Sequence, residues 1–371
     1  WQPLRNRLES GPTHPVGKTS VDVAYTNPKV VYALVEDKEP RLYRSEDGGD
    51  SWKLMQKNHS MGQRAGYYIR LRVSTRDENE LYTICVGILK SVDGGKSFVK
   101  DFNPWAPGGD NHDMWFDPKM PDRIMCAHDG CANLSFNGGK TWENINLPIA
   151  QMYHVAVDNQ VPYYVYSNRQ DAWSYRGPSR NLGGWSIPLG LWMGVGGCES
   201  GFAQPDPFDA NTVWSGCYDG GLDVFDVQAM HSRDVRVWPE TQIGQAPANA
   251  RYRWHWNFPF VTSRHVRGRV WAGSQYVHQS DNRGQSWREI SLDLTTNDKS
   301  HQQNSGGMAS DNLMTWDGCT LLAMAESPKQ EGVLWTGSND GLIHVTRDGG
   351  KSWQRVSDNI KDLPKWATIR H

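Results

Sequence analysis

The chain lacks the features that would place it in a membrane, on nucleic acid or around a metal. None of its 371 residues form a run of 18 apolar residues, so no membrane span is predicted. With 39 Lys and Arg against 41 Asp and Glu, the formal net charge is −2. That balance argues against a general nucleic-acid or anionic-membrane surface. The six cysteines follow no zinc spacing, and neither H-x-H nor H-E-x-x-H occurs. We therefore predict no metal and no cofactor.

The sequence also lacks a visible signal peptide and long apolar stretches of helical period. It begins with Trp1 rather than Met, so a mature or excised segment is expected. Its 37 Gly and 20 Pro, with little helical periodicity, favour many short strands joined by turns.

The even number of cysteines permits an oxidising compartment. Cys126 and Cys131 could cross-link one hairpin, and Cys198 and Cys217 could link neighbouring strands. Free buried thiols are the alternative.

What the chain does contain is one octapeptide in five copies. Each copy has Ser or Thr first, Asp or Asn third, Gly fifth, Ser or Thr seventh and Trp or Phe last. The copies are at 45–52, 91–98, 135–142, 280–287 and 346–353. The Asp or Asn can accept bonds from nearby backbone N–H groups, and the Gly suits a left-handed backbone. We interpret the octapeptide as a structural turn with a buried ring, and assign it no catalytic role.

Short strand patterns with a central apolar pair repeat along the chain, ahead of most octapeptides. Seven are recognised: 31–32, 81–82, 124–125, 164–165, 213–214, 270–271 and 334–335. Seven units over 371 residues average about fifty residues each, the size of a four-stranded propeller blade. The predicted fold is therefore all-β, a seven-bladed β-propeller of four-stranded antiparallel blades.

We expect a single propeller over 1–371. The approximate blades are 17–60, 61–105, 106–150, 151–185, 186–245, 246–300 and 301–365. Residues 366–371 are expected either to close the ring or to open a second propeller. The first strands are expected at 19–24, 67–73, 113–116, 153–157, 200–204, 257–262 and 320–325, and 218–226 is interpreted as a degenerate octapeptide.

The octapeptide resembles the Asp-box, or BNR repeat, of sialidases, xyloglucan-hydrolysing glycosidases, the sortilin ectodomain and a photosystem II assembly factor. From about 41 to 370, phrases such as GGDNHDMWFDP (108–118) and LPIAQMYHVAVDNQ (147–160) resemble secreted bacterial BNR-repeat proteins. Members of that family are often labelled glycosyl hydrolase or sialidase-like. The resemblance implies a secreted, periplasmic or cell-surface protein that acts on carbohydrate. A true sialidase is not expected, because no Arg-Ile-Pro motif is found near the N-terminus.

In a propeller, the fourth-to-first and second-to-third connections emerge on one face, opposite the octapeptide turns. The fourth-to-first connections are expected at 101–113, 143–153, 176–199, 226–256 and 288–319. The second-to-third turns are expected at 126–133, 166–173, 215–221, 272–278 and 336–341. Polar residues of both sets should therefore converge at the channel mouth. A polar, water-filled channel without function is the alternative.

Three clusters carry the chemistry. The first has Asp110, His112, Asp113, His128 and Asp129, which could bind a metal, transfer protons or form a structural His–Asp pair. The second has Arg169, Gln170, Asp171 and Trp173, which could hold an acidic sugar or pair within the loop.

The third cluster is Glu199 with the run 251–256, RYRWHW. Strand-like alternation predicts that its basic residues, Arg253 and His255 among them, face away from its aromatic residues. One set should enter the core and the other the channel mouth.

The first hypothesis is a glycoside hydrolase acting through paired carboxylates. The candidate catalytic residues are Asp171, Glu199, Asp113 and His112, with Glu199 or Asp171 as general acid. In a polysaccharide lyase, His112, His154 or Tyr218 would abstract the proton and Arg253 would neutralise a uronate. The expected substrate-binding residues are Arg169, Gln170, Trp173, Tyr218, Asp219, Arg253, His255, His154 and Tyr276.

The second hypothesis is a non-catalytic, sortilin-like propeller that holds a protein, peptide or glycan as a scaffold or assembly factor. The 18 Trp and 14 Tyr suit a protein interface as well as sugar stacking. The expected partners are a polysaccharide or oligosaccharide, or a protein, without nucleic acid. Paired carboxyls in a deep cleft would favour the enzyme, and a flat aromatic face would favour the scaffold.

Overall fold

The computed structural model describes residues 17–99, 102–103, 108–145, 147, 149–308, 312 and 318–370. The chain divides into two compact units. The first comprises the residues up to 148 with 305–311, and the second comprises 149–304 with 312–371.

Three antiparallel sheets, here called blades 1–3, form the first unit. Blade 1 contains β1 (Thr19–Val23), β2 (Val31–Val35), β3 (Arg41–Ser45) and β4 (Lys53–Lys57). Blade 2 contains β5 (Arg70–Val73), β6 (Leu81–Ile84) and β7 (Ile88–Ser91). Blade 3 contains β8 (Asn111–Phe116), β9 (Ile124–His128), β10 (Cys131–Ser135) and β11 (Glu143–Ile145).

The second unit holds blades 4–7. Blade 4 contains β12 (Ala156–Val157), β13 (Tyr164–Asn168), β14 (Ser174–Pro178) and β15 (Met193–Gly194). Blade 5 contains β16 (Ala203–Asp206), β17 (Asp209–Cys217), β18 (Gly221–Asp226) and β19 (His231–Asp234). Blade 6 contains β20 (Phe260–Thr262), β21 (Val270–Gly273), β22 (Val277–Ser280) and β23 (Arg288–Glu289). Blade 7 contains β24 (Leu321–Glu326), β25 (Leu334–Ser338), β26 (Ile343–Thr346) and β27 (Gln354–Arg355).

Strands in every sheet pair in chain order, which is the up-and-down arrangement of a propeller blade. The predicted fold class, all-β with seven blades, is confirmed. Blade 2 differs from the prediction because only three strands are found among its described residues. One bond, from Val99 N to Lys90 O at 2.8 Å, continues its edge.

The described residues contain five short 3-10 helices, at His59–Met61, Leu189–Leu191, Pro247–Asn249, Lys299–His301 and Ser357–Asn359. Within the described parts of the chain, no helix has the length and apolar character that a membrane crossing requires.

All seven predicted apolar pairs lie on the second strand of a blade. Three of these strands are completely buried. All five residues of β2, and all four of β6 and of β21, are buried. The cores lie between successive sheets of a unit, as where Tyr166 of blade 4 packs in one cluster with Val213 of blade 5. Each such side chain contributes roughly 1.5–3 kcal/mol on burial.

The five octapeptides fold alike, and each follows the third strand of its blade. In the second copy, Ser91 Oγ accepts a bond from Gly95 N at 2.9 Å, and Asp93 Oδ1 accepts one from Ser97 N at 2.9 Å. The fifth-position glycines all have positive φ, between 75° and 101°. The terminal rings pack against the hydrophobic clusters of the blades, as Trp287 does. The predicted structural role matches this geometry.

Three expectations about the second unit were wrong. Residues 176–199 do not form one fourth-to-first connection, because they include the end of β14 and the whole of β15. The long segment 179–192 therefore joins a third strand to a fourth. Blade 4 accordingly extends to 194, past the approximate boundary at 185.

Residues 218–226 are not a degenerate octapeptide. They form the second-to-third turn and β18 of blade 5. The turn from β18 to β19 is held by Asp226, whose Oδ1 accepts hydrogen bonds from Gln228 N and Ala229 N at 2.9 and 2.8 Å. Similarly, the expected connection 226–256 contains β19.

Candidate functional site

Two carboxylates of the second unit meet at one side chain. Asp171 lies on the second-to-third turn of blade 4, with φ of +57°, and Glu199 lies on the connection from β15 to β16. Gln170 Nε2 donates to Asp171 Oδ1 at 3.0 Å and to Glu199 Oε2 at 2.7 Å. Because both oxygens lie on the same nitrogen, they can be no more than about 5.7 Å apart. That upper limit is compatible with the spacing of retaining glycosidases, whose carboxyl groups lie about 5–5.5 Å apart.

The amide of Gln170 is fixed at its other end. Tyr153 donates a hydrogen bond from its hydroxyl to Gln170 Oε1. Trp256 Nε1 donates in turn to the Tyr153 hydroxyl at 3.3 Å. The backbone N–H of Gln170 bonds to Gln151 O at 3.0 Å. These bonds orient the amide so that its two N–H groups face the two carboxylates.

A disulfide fixes the segment that carries Glu199. Cys198 is bonded to Cys217, which confirms one of the two pairings that the sequence suggested. The bond joins the connection before β16 to the end of β17. Cys126 and Cys131 are free thiols.

Tyr218 directly follows Cys217 and lies near Glu199. Asp171 and Glu199, joined through Gln170, are called the carboxylate cluster below. Burial, and then the charges of Glu199 and Asp219, raises the pKa of the Tyr218 phenol. The phenol ring stacks on Trp256 with centroids 4.8 Å apart and an interplanar angle of 10°. A paired aromatic surface therefore lies near Glu199 and Asp219, an arrangement that suits a sugar ring.

Tyr153 also lines a cavity of about 800 Å³ between the first strands of blades 4–7. His154 stacks on Phe202 in its wall, with centroids 3.9 Å apart. Asn257 and Trp335 line it as well. The volume is in the range of small-molecule sites.

The run 251–256 does not alternate as the sequence predicted. It forms no strand, and residues 252–256 are all buried, with 3–6% of each exposed. Arg253 does not face open solvent: its Nη2 pairs with Asp293 at 2.9 Å and its Nε donates to Cys319 O at 3.1 Å. Since this guanidinium is committed to protein acceptors, its placement favours a structural role over binding a uronate.

His255 lies in the same buried run. Burial, and secondarily the charge of Arg370, lowers the pKa of His255 to about 4. Its Nδ1 accepts a bond from Asn257 N at 3.0 Å. The imidazole is therefore neutral at pH 7 and acts as an acceptor for the backbone.

The remaining predicted residues of the second unit surround the carboxylate cluster without joining it. Arg169 lies over the Tyr175 ring at 5.7 Å, and Trp173 is 63% exposed. Asp219 accepts a bond from Thr241 at 2.7 Å. Tyr276 packs edge-on against Tyr252, 6.1 Å away.

In the first unit, the predicted cluster forms separate pairs. His112 Nε2 lies 2.6 Å from Asp129 Oδ1, so these two side chains form a His–Asp pair. Asp113 pairs with Arg72 at 2.9 Å. His128 Nε2 lies 2.8 Å from Asn133 Oδ1, a separate contact. Among the described residues, no group of three or more His, Cys, Asp or Glu side chains could hold a metal ion.

Sequence reasoning missed Tyr153, Trp335 and Arg370, which line the cavity. Tyr153 opens the expected first strand 153–157, and its position there could have marked it as channel-facing. Arg370 carried no signal, because its placement depends on contacts made by the segment before it.

No protein-family model matches the chain, and no curated protein matches it in sequence. Among solved structures, it is similar to a GH74 xyloglucanase from Xanthomonas campestris, with 15% identity and a TM-score of 0.35. That match covers 98% of this chain and 56% of the xyloglucanase, so the chain spans little more than half of that enzyme. It is also similar to YCF48 from Cyanidioschyzon merolae, with 15% identity, a TM-score of 0.31, and 90% and 95% of the two chains covered.

Proposed function

We propose that the protein is a carbohydrate-active propeller that cleaves glycosidic bonds with Asp171 and Glu199. The observation that carries this proposal is the shared hydrogen bonding of both carboxylates to Gln170 Nε2, at 3.0 and 2.7 Å. A pair this close matches a retaining mechanism, in which one carboxyl protonates the leaving oxygen and the other attacks the anomeric carbon.

Glu199 is the proposed acid and Asp171 the proposed nucleophile. Asp171 is exposed on its turn, whereas Glu199 is half-buried beside Tyr218. The stacked rings of Tyr218 and Trp256 offer a surface for the neighbouring sugar.

The proposal gives His112 and Asp113 no catalytic part. Each already pairs with a neighbouring side chain of the first unit, Asp129 and Arg72 respectively. Localisation outside the cytoplasm belongs to the same proposal, and the disulfide between Cys198 and Cys217 supports it, because such bonds persist in oxidising compartments.

The test is a polysaccharide panel assayed for new reducing ends and for the absorbance of unsaturated uronates. We expect reducing ends without that absorbance, and loss of at least about 100-fold in kcat for Glu199→Gln and for Asp171→Asn. Asp129→Asn, which alters a carboxylate of the first unit, is the matched control and should keep full activity.

Other outcomes point elsewhere. Unsaturated products would identify a lyase. Ligand binding without products, unchanged in both carboxylate variants, would identify the non-catalytic scaffold. Either result would overturn the hydrolase proposal.

A further inference from the structure

The cavity that Tyr153 lines has basic but no acidic side chains among its described lining residues. Its lining residues include one Arg and one His, and none of those described is an Asp or Glu. Arg370 is thus the one permanently charged side chain in the lining, and it makes no ion pair with any described residue. An uncompensated guanidinium facing a concave surface attracts an anion.

The position of Arg370 is set by the segment before it. Trp366 stacks on His301 with centroids 3.7 Å apart. Ile369 N donates to Ser338 O at 3.2 Å, at the end of β25. The Ile369 side chain sits so close to Gly337 that a Cβ there would lie 2.4 Å from its Cγ2. These contacts dock the segment on blade 7 and place Arg370 in the lining.

The rest of the cavity is suited to a sugar. The stacked rings of His154 and Phe202 provide a flat surface, and Trp335, 42% exposed, provides another. Gln204 and Asn257 supply amide groups for hydroxyls. One guanidinium, which forks onto one carboxylate, matches a single monoanionic group better than a polyanion.

We propose that this cavity binds the carboxylate of an acidic sugar unit through Arg370. The inference rests on the proposed function, because it names the substrate class for the neighbouring carboxylates. It also moves the uronate-binding role from Arg253, which is paired with Asp293, to Arg370.

The experiment is calorimetric titration of the double variant Asp171→Asn, Glu199→Gln, which cannot turn over the ligand. The probes are a neutral oligosaccharide that carries one galacturonate and a xylo-oligosaccharide that carries one glucuronate, each paired with its carboxyl-reduced form. We expect at least one acidic probe to bind roughly tenfold or more tightly than its reduced form. Adding Arg370→Gln should remove that difference, and Arg370→Lys should restore part of it. Arg347→Gln, on an octapeptide turn, is the matched control and should change nothing.

Equal affinity for acidic and reduced probes, or a preference that survives Arg370→Gln, would overturn the inference. Its failure is distinct from failure of the proposed function. Cleavage of neutral glycans with no acidic preference would remove only the inference. Tight binding of uronates, without cleavage of any glycan by the wild type, would remove only the hydrolase.

Discussion

Glu199 and Tyr218 are the residues that directly follow the two bonded cysteines, Cys198 and Cys217, whose Cα atoms are 4.9 Å apart. The disulfide therefore fixes the carboxylate next to the phenol. Burial, and then the charge of Glu199, raises the pKa of the Tyr218 phenol.

Replacing both half-cystines with Ser should loosen the site and destabilise the protein. Closing a loop of 19 residues is worth about 3 kcal/mol in the chain-entropy model. We expect a lower Tm, and a fall in kcat that remains at temperatures where the variant is folded. Cys131→Ser, a half-buried free thiol, is the control for both measurements. Unchanged kcat would show that the disulfide does not position Glu199.

Gln170→Ala should impair catalysis without unfolding the protein. The substitution removes both N–H donors that hold Asp171 and Glu199, and a misplacement of about 1 Å can cost about 100-fold in rate. We expect kcat to fall about 10- to 100-fold with a much smaller change in KM. Steady-state kinetics with circular dichroism would measure this, with exposed Gln228→Ala as the control. A change in KM alone would assign Gln170 to substrate binding instead.

Stability should decrease as the pH falls below about 6.5, because two histidines are buried in the neutral form. Burial lowers the pKa of His255 to about 4 and that of His278 to about 3. Between these values and the unfolded value of 6.5, the unfolded state binds more protons. The stabilising contribution is complete above that unfolded pKa and is lost as the pH falls toward the folded values.

Urea unfolding at a series of pH values would measure this slope. His278→Gln should flatten it, whatever it does to the absolute free energy of unfolding. The exposed His231→Gln is the control and should leave the slope unchanged. A wild-type slope of zero between pH 4 and 6.5 would contradict the buried, neutral state of both residues.

The octapeptide carboxylates should matter for stability and not for activity. Although burial opposes it, hydrogen bonds from Ser97 and Ser91 lower the pKa of Asp93 to about 2. Asp93→Ala removes these acceptors and should cost about 1–2 kcal/mol. Asp93→Asn should cost less, because Asn137 makes the equivalent bond to Thr141 N at 2.9 Å. Thermal denaturation of both variants would measure these two losses of stability. Equal losses for Asp93→Ala and Asp93→Asn would contradict the prediction.

Gly337→Ala should weaken binding of acidic sugars. The new Cβ would lie 2.4 Å from Ile369 Cγ2, so the docked segment must shift and carry Arg370 with it. We expect the affinity for a uronate probe to fall toward that of its reduced form, with little change in kcat on a neutral glycan. Gly194→Ala, where an added Cβ meets no atom within 4 Å, is the control. Undiminished uronate affinity would show that the segment does not position Arg370.

The fold could be predicted because its signals are local. Apolar pairs such as Val213-Trp214 mark a second strand that is buried on both faces, and the octapeptide marks the following third-to-fourth turn. The error at 176–199 has a physical cause. Blade 4 has no octapeptide and its fourth strand is only two residues long, so the sequence carried no local signal for it.

The candidate site was predictable only in part. Asp171 and Glu199 could be singled out because each lies on a turn or connection between strands. Arg253 was misjudged because its partner, Asp293, is distant in sequence, and no local pattern predicts that pairing. Arg370 depends in the same way on contacts that only the folded chain reveals.

The two carboxylates lie on blades 4 and 5, and these blades are the ones without the octapeptide. Their third-to-fourth turns are therefore not held in the octapeptide conformation, and in blade 4 this turn is the long segment 179–192. For engineering, new sequence should be inserted first at this segment, since no octapeptide turn has to be rebuilt there and both carboxylates lie on other connections.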